Sequence, residues 1–88
     1  MSTEKILEAI KENKIEFGTK RALKLLKENK VKEIYISSTY PERLTNELKH
    51  AAEINKIPVN RLEINSEELS VLCKKPFLIS VAIIKQEK

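Results

Sequence analysis

Eighty-eight residues and 10.2 kDa leave room for one hydrophobic core and exclude a multidomain enzyme, so a single domain is expected over residues 1–88. The formal charge is +4, from 14 Lys and three Arg against 13 Glu and no Asp, while Leu, Ile, Val and Phe fill 27 positions, enough apolar weight to fold rather than stay disordered. The single Cys73 excludes an internal disulfide and cannot assemble a zinc site.

In chain order, a first helix is predicted from about Thr3 to Asn13, capped by Ser2 or Thr3, with Ile6, Leu7 and Ile10 on one face. Lys14 to Phe17 reads as a short extended piece leading to Gly18, the protein's one glycine, whose place between strand and helix signals a tight turn or a close ligand. A second helix runs from about Thr19 to Asn29, placing Ala22, Leu25 and Leu26 inward and Lys20, Lys24 and Lys27 outward. Glu33 to Ser37 reads as a buried strand around Ile34-Tyr35-Ile36. Pro41 suits the first turn of a third helix ending near Asn55, with Leu44, Leu48, Ala51 and Ala52 buried. The run 58–62 opens with Pro58 and so reads as an edge strand. Asn65 or Ser66 caps a short helix through Leu72, with Glu68 three residues after Asn65. Lys74-Lys75-Pro76 ends that helix, and Phe77 to Ile84 is the most continuously apolar strand and hence central. The alternation αβαβαβαβ with short connections predicts an α/β fold, a three-layer α/β/α sandwich.

Charge is segregated along this order. Residues 14–32 carry seven basic and two acidic groups, residues 33–73 four and seven, and residues 74–88 four and one. Two basic segments thus flank an acidic one, and a polyanionic partner fits if the fold brings the two together. No apolar run approaches the ~18 to 20 residues of a membrane span, and Glu interrupts the N-terminal stretch MSTEKILEAIKENK, so a cytoplasmic protein without a membrane partner is expected.

Gly18-Thr19-Lys20-Arg21 opening a helix, VKEIYISS before a proline-initiated helix, INKIPV, and SEELSVLCKKPF running into the last strand together resemble the archaeal and eukaryotic large-subunit ribosomal protein thirty family. That family belongs to the kink-turn RNA-binding ribosomal protein superfamily, and the similarity spans about residues 3 to 85. The resemblance implies a four-stranded mixed sheet between helices and an RNA site at one end of it. It assigns RNA contact to Gly18, Thr19, Lys20, Arg21 and Lys24, to Thr39, Tyr40 and Arg43, and to Lys75 and Phe77. The implied partner is a kink-turn or rRNA element on the ribosome, with other ribosomal proteins nearby and a monomer when free. An off-ribosome protein of the same superfamily, or a protein-interaction module using the basic face, is the alternative. Departures from the family pattern are Thr39 where an Asn often stands, Lys20-Arg21 where the seven-A type has Asn-Glu, and Lys74 and Ser70 in place of glycines.

The residues themselves give each site a physical reading. A helix start after Gly18 offers free N–H groups to a phosphate, with the Thr19 hydroxyl and Lys20 assisting. The row Lys20, Lys24, Lys27 suits a nucleic-acid backbone or simply a solvated helix face, and Phe77 suits base stacking or the core. Cys73 and His50 lack partners for nucleophilic or acid–base work, so no catalytic residue, metal ligand or cofactor is assigned.

Overall fold

Helical and strand segments alternate as the hydrophobic periods predict. The computed structural model describes residues 2–86 and orders them as α1 (Ser2–Lys11), β1 (Ile15–Phe17), α2 (Thr19–Lys27), β2 (Val31–Ile36), α3 (Glu42–Ile54), β3 (Val59–Arg61), α4 (Ser66–Leu72) and β4 (Val81–Lys85). The sheet runs β1-β4-β2-β3, with β4 antiparallel to β1 and β2, and β2 parallel to β3. β4 is central and β3 lies at an edge.

Alternate residues of β2 and β4 feed two cores, one on each face of the sheet. Ile34, Ile36, Val81 and Ile83 pack under Ala22, Leu25 and Leu26 of α2 and Leu48 and Ala52 of α3. Tyr35, Ala82 and Ile84 pack under Ile6 and Ala9 of α1 and Leu69 and Cys73 of α4. The result is the three-layer α/β/α sandwich with a mixed sheet.

Three expectations are corrected. The last strand begins at Val81 rather than Phe77: Val81 pairs with Ile36 and Ala82 with Phe17, and no strand lies beyond those partners for residues 77–80 to join. Phe77 and Leu78 are accordingly 54% and 66% exposed, and only Ile79 of that stretch turns into the core. Leu7 points to solvent because the inward stripe of α1 passes through Ile6 and Ala9, and at 3.6 residues per turn Leu7 lies about 100° off it. Pro41 sits one position before α3, as its N-cap, with φ −56° and ψ 137°. The capping expected of Ser2 or Thr3 concerns side chains outside the described residues. Asn65 forms the expected capping box, accepting from Glu68 N at 2.8 Å while Asn65 N donates to Glu68 Oε1 at 3.0 Å.

All four helices end the same way. Asn13, Asn29, Lys56 and Lys74 hold φ between 55° and 58°, and the next residue donates back to the helix: Lys14 to Ala9 O, Lys30 to Leu25 O, Ile57 to Ala52 O and Lys75 to Ser70 O, at 2.8 to 3.0 Å. These are Schellman closures built on non-glycine residues. Lys74, one of the positions where glycine stands in the family it resembles, thus occupies a backbone conformation that favours glycine.

Since β1, β2 and β3 all run opposite to β4, the sheet has two distinct ends. The upper end collects the C-termini of β1, β2 and β3, the start of β4 and the N-termini of α2, α3 and α4. The lower end collects the turns after α1, α2 and α3.

Candidate nucleic-acid interface

At the upper end, Gly18 adopts φ 105° and ψ 147°. A side chain there would meet no atom within 4 Å, so the glycine serves backbone conformation rather than space. Its N–H donates to Val81 O at 3.1 Å, tying the turn to β4, and α2 starts at the next residue with no side-chain cap. The N–H groups of Thr19, Lys20 and Arg21 therefore face outward without an intrahelical acceptor, at the positive end of the helix dipole. Phe17, Gly18, Thr19, Lys20, Arg21 and Lys24 line one open depression.

The loop after β2 closes on this turn. Thr19 Oγ1 and Tyr40 Oη share a hydrogen bond of 2.6 Å, and Tyr40 is 5% exposed with its ring in the α2/α3 core. Tyr40 is thus a buried strut that pins Thr19 rather than an open surface. Thr39 is exposed, and its hydroxyl sits 2.9 Å from Ser66 Oγ and 3.3 Å from Ser37 Oγ, while Ser66 N donates to it at 3.3 Å. Ser66 Oγ also meets Ser37 Oγ at 3.1 Å and Ser80 Oγ at 2.9 Å. Four hydroxyls, around a fully buried Ser37, hold together the loops that follow β2, precede α4 and precede β4.

Arg61 was missed by sequence reasoning. Its guanidinium donates to Ser38 O and to Thr45 Oγ1, both at 3.1 Å, bracing residues 37–41 from the neighbouring strand. No signal in the sequence could have found it, because its reach depends on register: Arg61 ends a strand parallel to β2 and sits opposite Ile36.

The third segment arrives through Lys75, whose ammonium lies 5.6 Å from the centre of the Phe17 ring, next to Gly18. The stretch 74–88 and the stretch 14–32 therefore meet at the upper end, and Phe77 stands exposed in the loop between α4 and β4. Arg43 is exposed in the first turn of α3, and Lys20, Lys24 and Arg43 pair with no carboxylate among the described residues. Arg21 does: its Nε is 3.0 Å from Glu16 Oε1, and Lys85 Nζ is 3.2 Å from Glu16 Oε2. Ion pairs this exposed contribute about 1 kcal/mol or less to stability, so their value here is placement of charge.

Chemically the surface offers uncapped N–H groups, exposed cations, hydroxyls and one exposed aromatic, the set that grips phosphates and an unstacked base. Among the described residues no group of three His, Cys, Asp or Glu is arranged to hold a metal, and no helix is long and apolar enough to cross a membrane. Burial pushes the Cys73 thiol above its ordinary value, against a smaller opposing pull from Lys75.

The ribosomal protein L7Ae/L30e/S12e/Gadd45 family model matches residues 1–88. The chain belongs to that family. It is 38% identical over 78 residues to the large ribosomal subunit protein eL30 of Saccharolobus solfataricus, covering 89% of this chain and 72% of that one. It is 30% identical over 79 residues to the eL30 protein of Methanocaldococcus jannaschii, covering 90% and 72%. Solved structures share the fold at lower identity. The Giardia lamblia 15.5kD RNA binding protein has a TM-score of 0.79 at 22% identity, covering 94% of this chain and 69% of that one. A protein of unknown function from Bacillus halodurans has 0.80 at 19%, covering 89% and 77%.

Proposed function

We propose that this chain is an RNA-binding structural protein of the large ribosomal subunit, whose upper end holds a sharply bent, kink-turn-like rRNA element. It works without catalysis, in the cytoplasmic ribosome, as a single domain that is monomeric when free and has other ribosomal proteins as neighbours. Family membership and relatives named as large-subunit proteins support the ribosomal reading. The observation that carries the mode of binding is the meeting of three separate segments at one end of the sheet, supplying Lys20 and Lys24, Thr39 and Arg43, and Lys75 with the exposed Phe77.

The N-terminus of α2 takes a phosphate through the N–H groups of Thr19, Lys20 and Arg21, and Lys24 neutralises the next phosphate one turn along the helix. A straight duplex spaces its phosphates evenly and keeps its bases stacked, so it meets the helix row but not Phe77. A bent element with an extruded base meets both. Gel-shift titration at physiological salt is expected to show tighter binding to a kink-turn RNA than to a straight duplex of equal length, and equal affinities refute the reading. Lys20→Ala and Lys24→Ala should each lower the slope of log affinity against log salt by about 0.7 to 0.9. Unchanged slopes would remove α2 from the interface.

A further inference from the structure

Glu16 puts a carboxylate beside the basic depression at the upper end. On β1 its neighbours Ile15 and Phe17 pack into the α1/α4 core, so alternation turns Glu16 to the α2 side of the sheet. There both of its oxygens are engaged, one by Arg21 Nε at 3.0 Å and the other by Lys85 Nζ at 3.2 Å.

We propose that Glu16 is a specificity-determining residue of the RNA face, aiming the Arg21 guanidinium and cancelling one indiscriminate positive charge so that bent RNA is preferred over straight. The inference rests on the reading that this face binds bent RNA. Engaging Arg21 through Nε leaves both Nη groups to form a two-pronged fork, and that fork fits a phosphate arriving from one direction. A guanidinium without this anchor sweeps its charge over the surface and attracts any duplex phosphate. Lys85, fixed on the central strand, holds the carboxylate from its second oxygen and keeps it from following Arg21 toward the RNA. Glu16 contacts no RNA in this scheme and acts through Arg21, as a positioning residue.

The test compares affinities for kinked and straight RNAs of equal length, at about 0.15 M salt, for the wild type, Glu16→Ala, Glu16→Gln and Glu28→Gln. Glu28→Gln removes the same charge at the lower end, where Glu28 lies 3.5 Å from Lys30. Glu16→Ala is expected to raise straight-duplex affinity about fivefold, the effect of one further ion-releasing contact at that salt, without a matching gain for kinked RNA. The preference then falls by about fivefold, with Glu16→Gln moving the same way by less because it removes the charge but keeps a side chain of the same shape against the guanidinium. Glu28→Gln leaves the preference in place, and in an Arg21→Ala background Glu16→Ala no longer alters it. An unchanged preference in the folded Glu16 variants overturns the proposal, as does an equal fall in Glu28→Gln or in the Arg21→Ala background. A wild type without preference refutes the parent reading instead and takes this one with it.

Discussion

The two ends of the sheet close their loops by different means. At the lower end, the turns after α1, α2 and α3 are finished mainly by backbone bonds around one left-handed residue each, Asn13, Asn29 and Lys56, between groups five residues apart or fewer, with a long side-chain tie in which Asn55 Nδ2 donates to Leu26 O at 2.7 Å. At the upper end, hydroxyls 29 residues apart in sequence, Ser37 and Ser66, meet at 3.1 Å, Thr19 meets Tyr40, and Arg61 braces residues 37–41 from another strand. Local closure uses up the backbone groups of the turn itself. Long-range closure by side chains leaves the N–H groups, Lys20 and Lys24 at the start of α2, and Phe77 in the loop before β4, facing outward. An end built that way is suited to bind, and the other is suited to hold the fold together.

The sharpest way to break this contrast is at Phe77. Phe77→Ala is expected to cost about 1 to 3 kcal/mol of RNA affinity and little melting temperature, since the side chain is half exposed; a buried Phe would cost about 3 to 5 kcal/mol of stability. A large loss of stability with unchanged affinity of the folded protein would assign Phe77 to the core.

Asn65→Ala tests whether the α4 cap also serves the upper end. Loss of the capping box should cost about 1 kcal/mol in urea unfolding and, by freeing Ser66 from Thr39, also weaken RNA binding. Full retention of affinity would limit the cap to the fold.

Lys56→Gly probes the lower end, where relief of a left-handed non-glycine residue should outweigh the added freedom of the unfolded chain and stabilise by about 0.5 kcal/mol with no change in RNA affinity. Destabilisation would show that the Lys56 side chain contributes more than its backbone strain costs.

An effect confined to high pH concerns Tyr35, whose hydroxyl donates to Glu33 Oε1 at 2.7 Å under α1. Burial first, and the Glu33 hydrogen bond and charge second, hold its pKa well above the ordinary 10. The unfolded chain then loses this proton before the folded one does, so stability is intact below about pH 10 and falls as pH rises further. Urea unfolding from pH 8 to 11 should show that fall, and Tyr35→Phe should make it shallower; identical slopes would detach the titration from Tyr35.

Much of this was legible in the residues. The inward sets Ala22, Leu25, Leu26 and Leu48, Ala52, the Asn65 to Glu68 box, the edge strand after Pro58 and the central last strand all follow from local period and capping chemistry, which neighbours in sequence settle among themselves. Gly18 and the basic row were legible as candidates, because a helix start and a run of outward lysines need only local information. The start of β4 was not, since Phe77 and Leu78 have the same apolar character as Ile83 and differ only in lacking a strand to pair with. Nor were the role of Tyr40 as a strut, the Ser37, Thr39, Ser66 and Ser80 cluster, the brace from Arg61, or the hold of Glu16 on Arg21. Each of these depends on which strands lie side by side and in what register. Hydrophobic periodicity determines which face of an element is buried, but a polar side chain takes its partner from whatever the finished sheet places within about 3 Å, and only the tertiary structure decides that.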